Sequence, residues 1–460
     1  MAQIEKAEQK EKATFKSQIG WSSRAISISV NVVLLMQLTY FCTNVLGMTP
    51  VLTGMILLAT KIFDGFTDLV AGALINKIRT RFGVVRHYEL CIAPLWICTV
   101  LLLSAPLSLS MTGKAVWVFV FYSLANAFFA TMLFSSDAVY LARAFSTQTV
   151  RARILSVNGL LVMLFSAAVS MTLPRLMATM GTTEGGWTKI ALLIGVPMVI
   201  IGLGRFFLVK ELDAADSKVI EPLKLVEGLR VLGGNKYIFM VAAVSLLSMI
   251  LSTVVGSTGA YYFRYIVGDL SALGLIGMLG LVAPLLMLLF PALLRKTGAV
   301  NIARGAMAIG IIGFVVKIFA GANIPLLLIT SLVGSLGTLP IALMVNLYVI
   351  DCMTYSEWKT GKRADGFFSV MCQFGNKVGS GLGSASVGLL MGLVGYDGMA
   401  EAQSAGVNNM IIALYSWIPA IILVVSLVIF AMHDLDKRMP QIKRELEARK
   451  AAASAGTATE

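Results

Sequence analysis

The chain has 460 residues, 57% of them hydrophobic and only 13% charged, with a formal net charge of +13. A soluble domain averages about 25% charged residues, so this composition excludes an ordinary soluble fold and predicts an all-α polytopic membrane protein. A basic excess of this size would also suit nucleic acid, but its placement along the chain assigns it to topology and excludes that partner.

Residues 1–18 are mostly polar and lead directly into an apolar run, so a cleavable signal peptide is not expected. Runs long enough to cross a bilayer are predicted at approximately 19–45, 50–76, 89–111, 115–142, 154–178, 187–209, 237–265, 270–293, 302–322, 324–350, 367–394 and 408–432. Lys6, Lys10, Lys12 and Lys16 precede the first span, and Lys77, Arg79, Arg81 and Arg86 follow the second. The opposite side carries little beyond Lys114, Arg175, Lys189 and Arg264. That asymmetry predicts both termini in the cytoplasm of a plasma (inner) membrane protein. The expected organisation is an N-terminal tail (1–18), a six-helix bundle (19–209), a central cytoplasmic loop (210–236), a second six-helix bundle (237–432) and a cytoplasmic tail (433–460).

A weak internal echo supports duplication. Tyr40-Phe41-Cys42-Thr43-Asn44-Val45-Leu46-Gly47 closes span one, and Tyr262-Phe263-Arg264-Tyr265-Ile266-Val267-Gly268 closes span seven. Six plus six helices in parallel halves is the major facilitator plan, with its solute near the midplane between halves.

Charge inside lipid-length helices is costly and marks candidate function. In span two Lys61, Asp64 and Asp68 sit at i, i+3 and i+7, on one helix face. Two carboxylates one turn apart supply hard oxygen ligands for Na⁺ or H⁺; the alternative is an ion-pair network that holds helices together. Lys377 lies in span eleven, one turn after Gln373, among Gly375, Gly379, Gly381 and Gly383, which permit close helix packing. Span one carries a polar stripe, Arg24, Ser27 and Asn31, that either lines a cavity or bonds across to another helix; Ser123 and Asn126 are the polar candidates of span four. After span ten, Asp351, Tyr355, Glu357 and Arg363 open a loop dense in both signs of charge, read as a cytoplasmic ion-pair latch that opens as the halves rock. Cys42, Cys91, Cys98, Cys352 and Cys372 are scattered without a CxxC pair, so neither a zinc site nor a disulfide framework is expected.

These residues resemble the glycoside–pentoside–hexuronide:cation symporter family, the melibiose-permease relatives. Lys61-Ile-Phe-Asp64-Gly-Phe-Thr-Asp68-Leu-Val-Ala-Gly72 is similar to the family's span-two signature, and Tyr40-Phe-Cys-Thr43-Asn44-Val-Leu-Gly47 to its ending of span one. The loop from Asp351 through Tyr355, Glu357, Lys359, Gly361 and Arg363 to Gly366 resembles the family's Asp-x-x-x-Tyr-Gly-Glu-x-Lys-Thr-Gly-x-Arg run. The resemblance implies a coupling-cation site at Asp64 and Asp68, with Ser123 as the span-four hydroxyl, Lys377 nearby and Lys61 as basic neighbour. Arg24, Ser27, Asn31, Lys61, Asn126 and Gln373 are the expected solute contacts. Two departures bear on the solute: span one has no acid, and Asn126 stands where the family's span-four acid would fall. Loss of those carboxylates, with Arg24 added, suits an anionic sugar better than a neutral one.

The expectation is therefore a cation-coupled secondary carrier of a sugar or glycoside, anionic in one version. It would be a monomer in lipid, with no cofactor besides Na⁺ or H⁺. A carrier of a lysolipid or other amphipathic solute on the same fold is the alternative. A membrane prenyl transferase using Asp64-x-x-x-Asp68 is disfavoured, because Asp351 and Asp365 are too dispersed to form its second acidic motif.

Overall fold

The computed structural model describes residues 14–74, 80, 82–145, 147–211, 233–282, 299–361 and 365–456. The central segment 212–232 and Arg363 therefore lie outside the described residues, as does the stretch 283–298 within and after the expected eighth span. All named elements are helical, and the one β-type pairing among the described residues is a single bridge between Thr80 and Gly83.

The first apolar span is built from α1 (Phe15–Leu35) and α2 (Leu38–Asn44). It is followed by α3 (Pro50–Leu74), α4 (Ile92–Leu102), α5 (Met111–Ser123), α6 (Thr131–Ala144), α7 (Gln148–Thr179) and α8 (Gly186–Leu208). The second half of the chain contributes α9 (Lys236–Tyr262), α10 (Leu273–Met278), α11 (Ala299–Lys317), α12 (Ile324–Leu336) and α13 (Leu339–Thr360). It ends with α14 (Asp365–Leu393), α15 (Ala405–Ile412), α16 (Ile418–Ala431) and α17 (Leu435–Gly456). Side-chain caps fix several starts: Thr14, Ser110, Thr147 and Asn323 each accept a backbone N–H three residues on, satisfying donors that a helix start leaves unpaired. Among the described residues, eight helices are long and apolar enough to cross a membrane, with shorter apolar helices at Leu270–Leu281 and Ile324–Leu336. The expected span 324–350 divides at Gly337-Thr338 into α12 and α13.

Among the described residues three π-helical turns interrupt the regular geometry: Leu124–Ala130 between α5 and α6, Phe263–Val267 after α9, and Ala413–Trp417 between α15 and α16. Each re-aims the side chains that follow it, a device frequent at functional sites.

Two compact units emerge, and they do not follow the sequence halves. One comprises Met1–Lys218, Gly256–Leu285 and Ser384–Ile411; the other comprises Val219–Val255, Leu286–Gly383 and Ile412–Glu460. The first unit has a core around Trp21, Tyr88, Tyr140, Phe145 and Ile154. The second buries Tyr237, Tyr348, Cys352 and Phe430 together with Leu435, Met439, Ile442 and Leu446, one stripe of α17. Within the second unit the glycines of α14 close on α9: Gly375 faces the Ala242 carbonyl and Gly379 the Leu246 carbonyl. A Cβ at Gly379 would lie 2.5 Å from that oxygen, so the expected close packing is realised there.

The internal echo has a backbone counterpart. Gly47 and Gly268, which end the two related segments, both adopt the left-handed conformation, with φ of 66° and 83°. That region favours glycine because it has no Cβ.

Candidate functional site

The acids of α3 are joined by a hydroxyl from the start of α6. Thr131 Oγ1 lies 3.0 Å from Asp64 Oδ1 and 3.0 Å from Asp68 Oδ1. Asp64 is 4% exposed, and Lys61 Nζ stands 3.8 Å from its other oxygen, over the Tyr122 ring at 5.7 Å. Thr67 Oγ1 donates to the Asp64 carbonyl and leaves the carboxylate to its neighbours. Lys61, Asp64 and Asp68 sum to one negative charge. A hydroxyl carries a single proton. Thr131 therefore gives its proton to one carboxylate or shares it, forked, between the two, and it holds one oxygen of each acid within hydrogen-bond reach of the same atom. Two carboxylates and a hydroxyl are hard oxygen donors, and among the described residues no group of three or more His, Cys, Asp or Glu side chains could hold a metal ion.

The π-turn Leu124–Ala130 ends at the residue before Thr131 and sets its direction. Ser123, the hydroxyl expected at the acids, instead reaches Thr60 Oγ1 at 3.5 Å, one turn before Asp64. Asn126 donates to the Tyr122 carbonyl at 3.2 Å. Thr131 is thus the hydroxyl that the sequence reading missed; its only signal was a lone hydroxyl eight residues beyond Ser123.

The polar stripe of α1 turns into the first unit. Ser27 Oγ accepts from Trp96 Nε1 at 2.8 Å and donates to the Met198 carbonyl at 2.7 Å, while Asn31 Nδ2 donates to Thr99 Oγ1 at 2.8 Å. Of the two alternatives stated for this stripe, the structure has bonding across to α4 and α8. Arg24, 2% exposed, donates to the Leu133 carbonyl and pairs with Asp137. Arg205 Nη1 meets the same Asp137 oxygen at 2.8 Å, and Glu89 Oε1 lies 3.6 Å from Arg24 and 3.8 Å from Arg205. Arg205 and Glu89 are fully buried. The expected solute contact of Arg24 is corrected accordingly: its guanidinium is engaged inside the unit by a cluster whose two arginines and two acids cancel. Glu89, Asp137 and Arg205, at the edges of three other spans, were not among the candidates.

Lys377 and Gln373 lie on α14 in the second unit, Lys377 half-buried and Gln373 exposed. The loop residues after α13 are also in that unit. Tyr355 packs on Tyr237 at 5.0 Å, and Trp358 Nε1 donates to Glu445 Oε2 of α17 at 2.6 Å. Lys359 Nζ donates to the Gly234 carbonyl, and Arg449 to that of Trp358. The segment carrying Asp351, Tyr355 and Glu357 is therefore lashed to the C-terminal helix by packing and hydrogen bonds.

Residues 23–437 match the family model described as MFS/sugar transport protein. The chain is 26% identical over 457 residues to the isoprimeverose transporter of Lactiplantibacillus pentosus, covering 96% of this chain and 94% of the relative. It is 24% identical over 430 residues to the glucuronide carrier protein homolog of Escherichia coli (strain K12), covering 90% and 91%. Its fold matches the crystal structure of the nucleoside transporter NupG with a TM-score of 0.65, at 13% identity, over 91% of this chain and 99% of that one.

Proposed function

The chain belongs to the MFS/sugar transport protein family, and from that premise we propose that it is a cation-coupled symporter of a sugar or glycoside. It is a multi-pass membrane carrier of sugar-like solutes and not an enzyme. The coupling cation, Na⁺ or H⁺, binds at Asp64 and Asp68 with Thr131 between them. The observation that carries this reading is the single hydroxyl 3.0 Å from both carboxylates, which brings two acids to one point inside an apolar helix pair. Lys61 holds Asp64 until the cation arrives. Both termini face the cytoplasm of the inner membrane, in accord with the basic loops.

The solute class includes sugars with an acid group. Supporting this are the absence of an acid from span one, Asn126 in place of the span-four acid, and a relative named as a glucuronide carrier protein homolog. Uptake into vesicles tests the coupling: radiolabelled methyl β-D-glucuronide and isoprimeverose are offered with an imposed Na⁺ or H⁺ gradient. Accumulation that follows one gradient and disappears in Asp64→Asn, with solute exchange retained, supports the site. Accumulation indifferent to both gradients, or an unaltered ion dependence in Asp64→Asn and Asp68→Asn, rejects it.

A further inference from the structure

The two echoed segments, which the cation site leaves unused, come together within the first unit. Thr43 Oγ1 and the Tyr261 hydroxyl lie 2.8 Å apart, and Arg264 Nη1 donates to the Tyr40 hydroxyl at 2.6 Å. Tyr396, just beyond α14, donates to Asn44 Oδ1 and sits 3.2 Å from the Tyr265 hydroxyl. The rings interlock edge-to-face: Tyr40 on Tyr261 at 5.5 Å, Tyr261 on Tyr396 at 5.3 Å and Tyr265 on Tyr396 at 5.9 Å. Under the topology proposed above this knot closes the outer ends of spans one and seven.

One member is chemically out of place. Among the described residues the partners of the Arg264 guanidinium are tyrosines: it bonds Tyr40, and its carbon lies 5.8 Å from the Tyr40 ring and 5.3 Å from that of Tyr265. Among the described residues no carboxylate stands within 4.0 Å of it. The acids that follow Tyr265 and Tyr396 in sequence are already engaged. Asp269 takes the hydroxyl and amide of Ser271 at 2.6 and 2.9 Å, and the hydroxyl holds its carboxyl below the usual range; Asp397 caps the Met399 amide at 2.9 Å. The other nearby cation, Lys114, donates to the Leu46 carbonyl at 2.8 Å. One turn beyond Tyr40 on the same span, the buried Nδ2 of Asn44 has no hydrogen-bond partner among the described residues. A half-buried guanidinium with no carboxylate partner among the described residues, bonded to a phenol one turn from an unused amide donor, is suited to accept an acid group.

We propose that Arg264, with Tyr40 and Asn44, is an outer recognition point for the carboxylate or sulfonate of an anionic solute, and that binding there unlocks the gate. An anionic oxygen forms a stronger, forked hydrogen bond with guanidinium than a neutral phenol does. As the acid group takes Arg264, the Tyr40 hydroxyl is released and one of the two hydrogen bonds described between spans one and seven is lost, which leaves the Thr43–Tyr261 contact to hold them. The solute shifts the gate because it binds the unlatched form better, the only way a ligand moves such an equilibrium. A neutral glycoside has no group that competes as well for the guanidinium.

The inference rests on the carrier reading, and the test separates the two. Uptake of methyl β-D-glucuronide and methyl β-D-glucoside, which differ by a carboxylate at one carbon, is compared in vesicles. The proteins are wild type, Arg264→Gln, Arg264→Lys and Tyr40→Phe. In Arg264→Gln the KM for the glucuronide is expected to rise about tenfold or more while that for the glucoside moves by less than about threefold. Arg264→Lys falls between, because a point charge replaces the fork. Tyr40→Phe, which removes the competing phenol and keeps the guanidinium, is expected to lower the glucuronide KM. Trp187 stacks on Tyr40 and Phe41 at 6.5 and 5.2 Å, so glucuronide should change its fluorescence in wild type and not in Arg264→Gln. Equal losses for both solutes in Arg264→Gln, or a Tyr40→Phe that copies it, overturn the inference. Uptake of the glucoside alone by wild type, or of neither solute while isoprimeverose still accumulates, overturns the inference and leaves the carrier reading standing; accumulation of none of the three sinks both.

Discussion

The guanidinium of Arg205 lies 3.1 Å from the centre of the Trp21 ring and grips Asp137 at 2.8 Å. With Arg24 and Glu89 it forms a buried, internally neutral cluster, and its purpose follows from cost. A charge taken out of water is recovered only through close partners, and removal of one partner strands the others.

Arg205→Met is therefore expected to cost about 3 kcal/mol or more of stability, because Glu89 is left with one distant partner. The double variant Arg205→Met with Glu89→Gln should recover most of that loss, since the charge left stranded is gone as well. Thermal unfolding midpoints of the detergent-purified proteins read this directly. Recovery of nothing in the double variant would show that Trp21 stacking, and not charge balance, is what Arg205 supplies.

The same cluster revises what Arg24→Ala should do. A cavity-facing Arg24 would weaken an anionic solute more than a neutral one. A clustered Arg24 should lower the amount of folded carrier and reduce uptake of methyl β-D-glucuronide and methyl β-D-glucoside in equal proportion. Selective loss of the glucuronide, per folded molecule, would restore Arg24 to the solute path.

Thr131 and Ser123 offer a contrast inside one span, on either side of its π-turn. Thr131→Ala deletes the hydroxyl shared by Asp64 and Asp68, and should raise the cation concentration needed for half-maximal uptake about tenfold, one charge-assisted hydrogen bond being worth about 1.5–3 kcal/mol. Thr131→Ser should keep most of the affinity. Ser123→Ala loses only a 3.5 Å contact with Thr60 and should leave the cation dependence near wild type. Cation titrations of uptake distinguish the three, and a Ser123→Ala effect as large as that of Thr131→Ala would return the site to the expected serine.

These cases show which parts of the molecule are readable from residue spacing. Asp64 and Asp68 stand out because carboxylates a turn apart in an apolar run have few innocent explanations. Their hydroxyl partner does not, because the π-turn Leu124–Ala130 shifts the register of span four, and no apolar periodicity records a π-turn. The stripe of Arg24, Ser27 and Asn31 is visible as a stripe, but spacing on one helix cannot say whether the neighbour is water or another helix. That answer lies with Glu89, Thr99, Asp137 and Met198 on other helices. The echo of Tyr40–Gly47 in Tyr262–Gly268 is legible as a repeat; that the two copies touch is a tertiary fact.

The C-terminal helix gives a further test on the same reasoning. A charged segment after the last span reads as a solvated tail, yet Leu435, Met439, Ile442 and Leu446 are buried against the second unit, and Glu445 accepts the Trp358 indole. Ile442→Ala should weaken that docking by about 2–5 kcal/mol, the range for truncating a buried aliphatic side chain. Trypsin cleavage at the exposed Lys443 and Arg444 would then accelerate. Trp358→Phe, which keeps the packing and deletes the indole donor, should accelerate it less. Unchanged cleavage in Ile442→Ala would mean that α17 is held by its polar contacts alone.

Packing between α14 and α9 sets the last expectation. Gly379 leaves no room for a methyl group, because its Cβ would press on the Leu246 carbonyl at 2.5 Å, and backbone cannot give way as a side-chain tip can. Gly65, beside the acids of α3, has no atom within 4 Å of the same position. Gly379→Ala should therefore lower both thermal stability and transport rate, by the roughly 1–3 kcal/mol typical of overpacking. Gly65→Ala should be tolerated, or gain slightly from alanine's helix propensity. A paired comparison of unfolding midpoint and initial uptake rate decides the point. If Gly379→Ala kept its stability and lost only uptake, the closeness of α14 to α9 would serve the transport motion and not the fold.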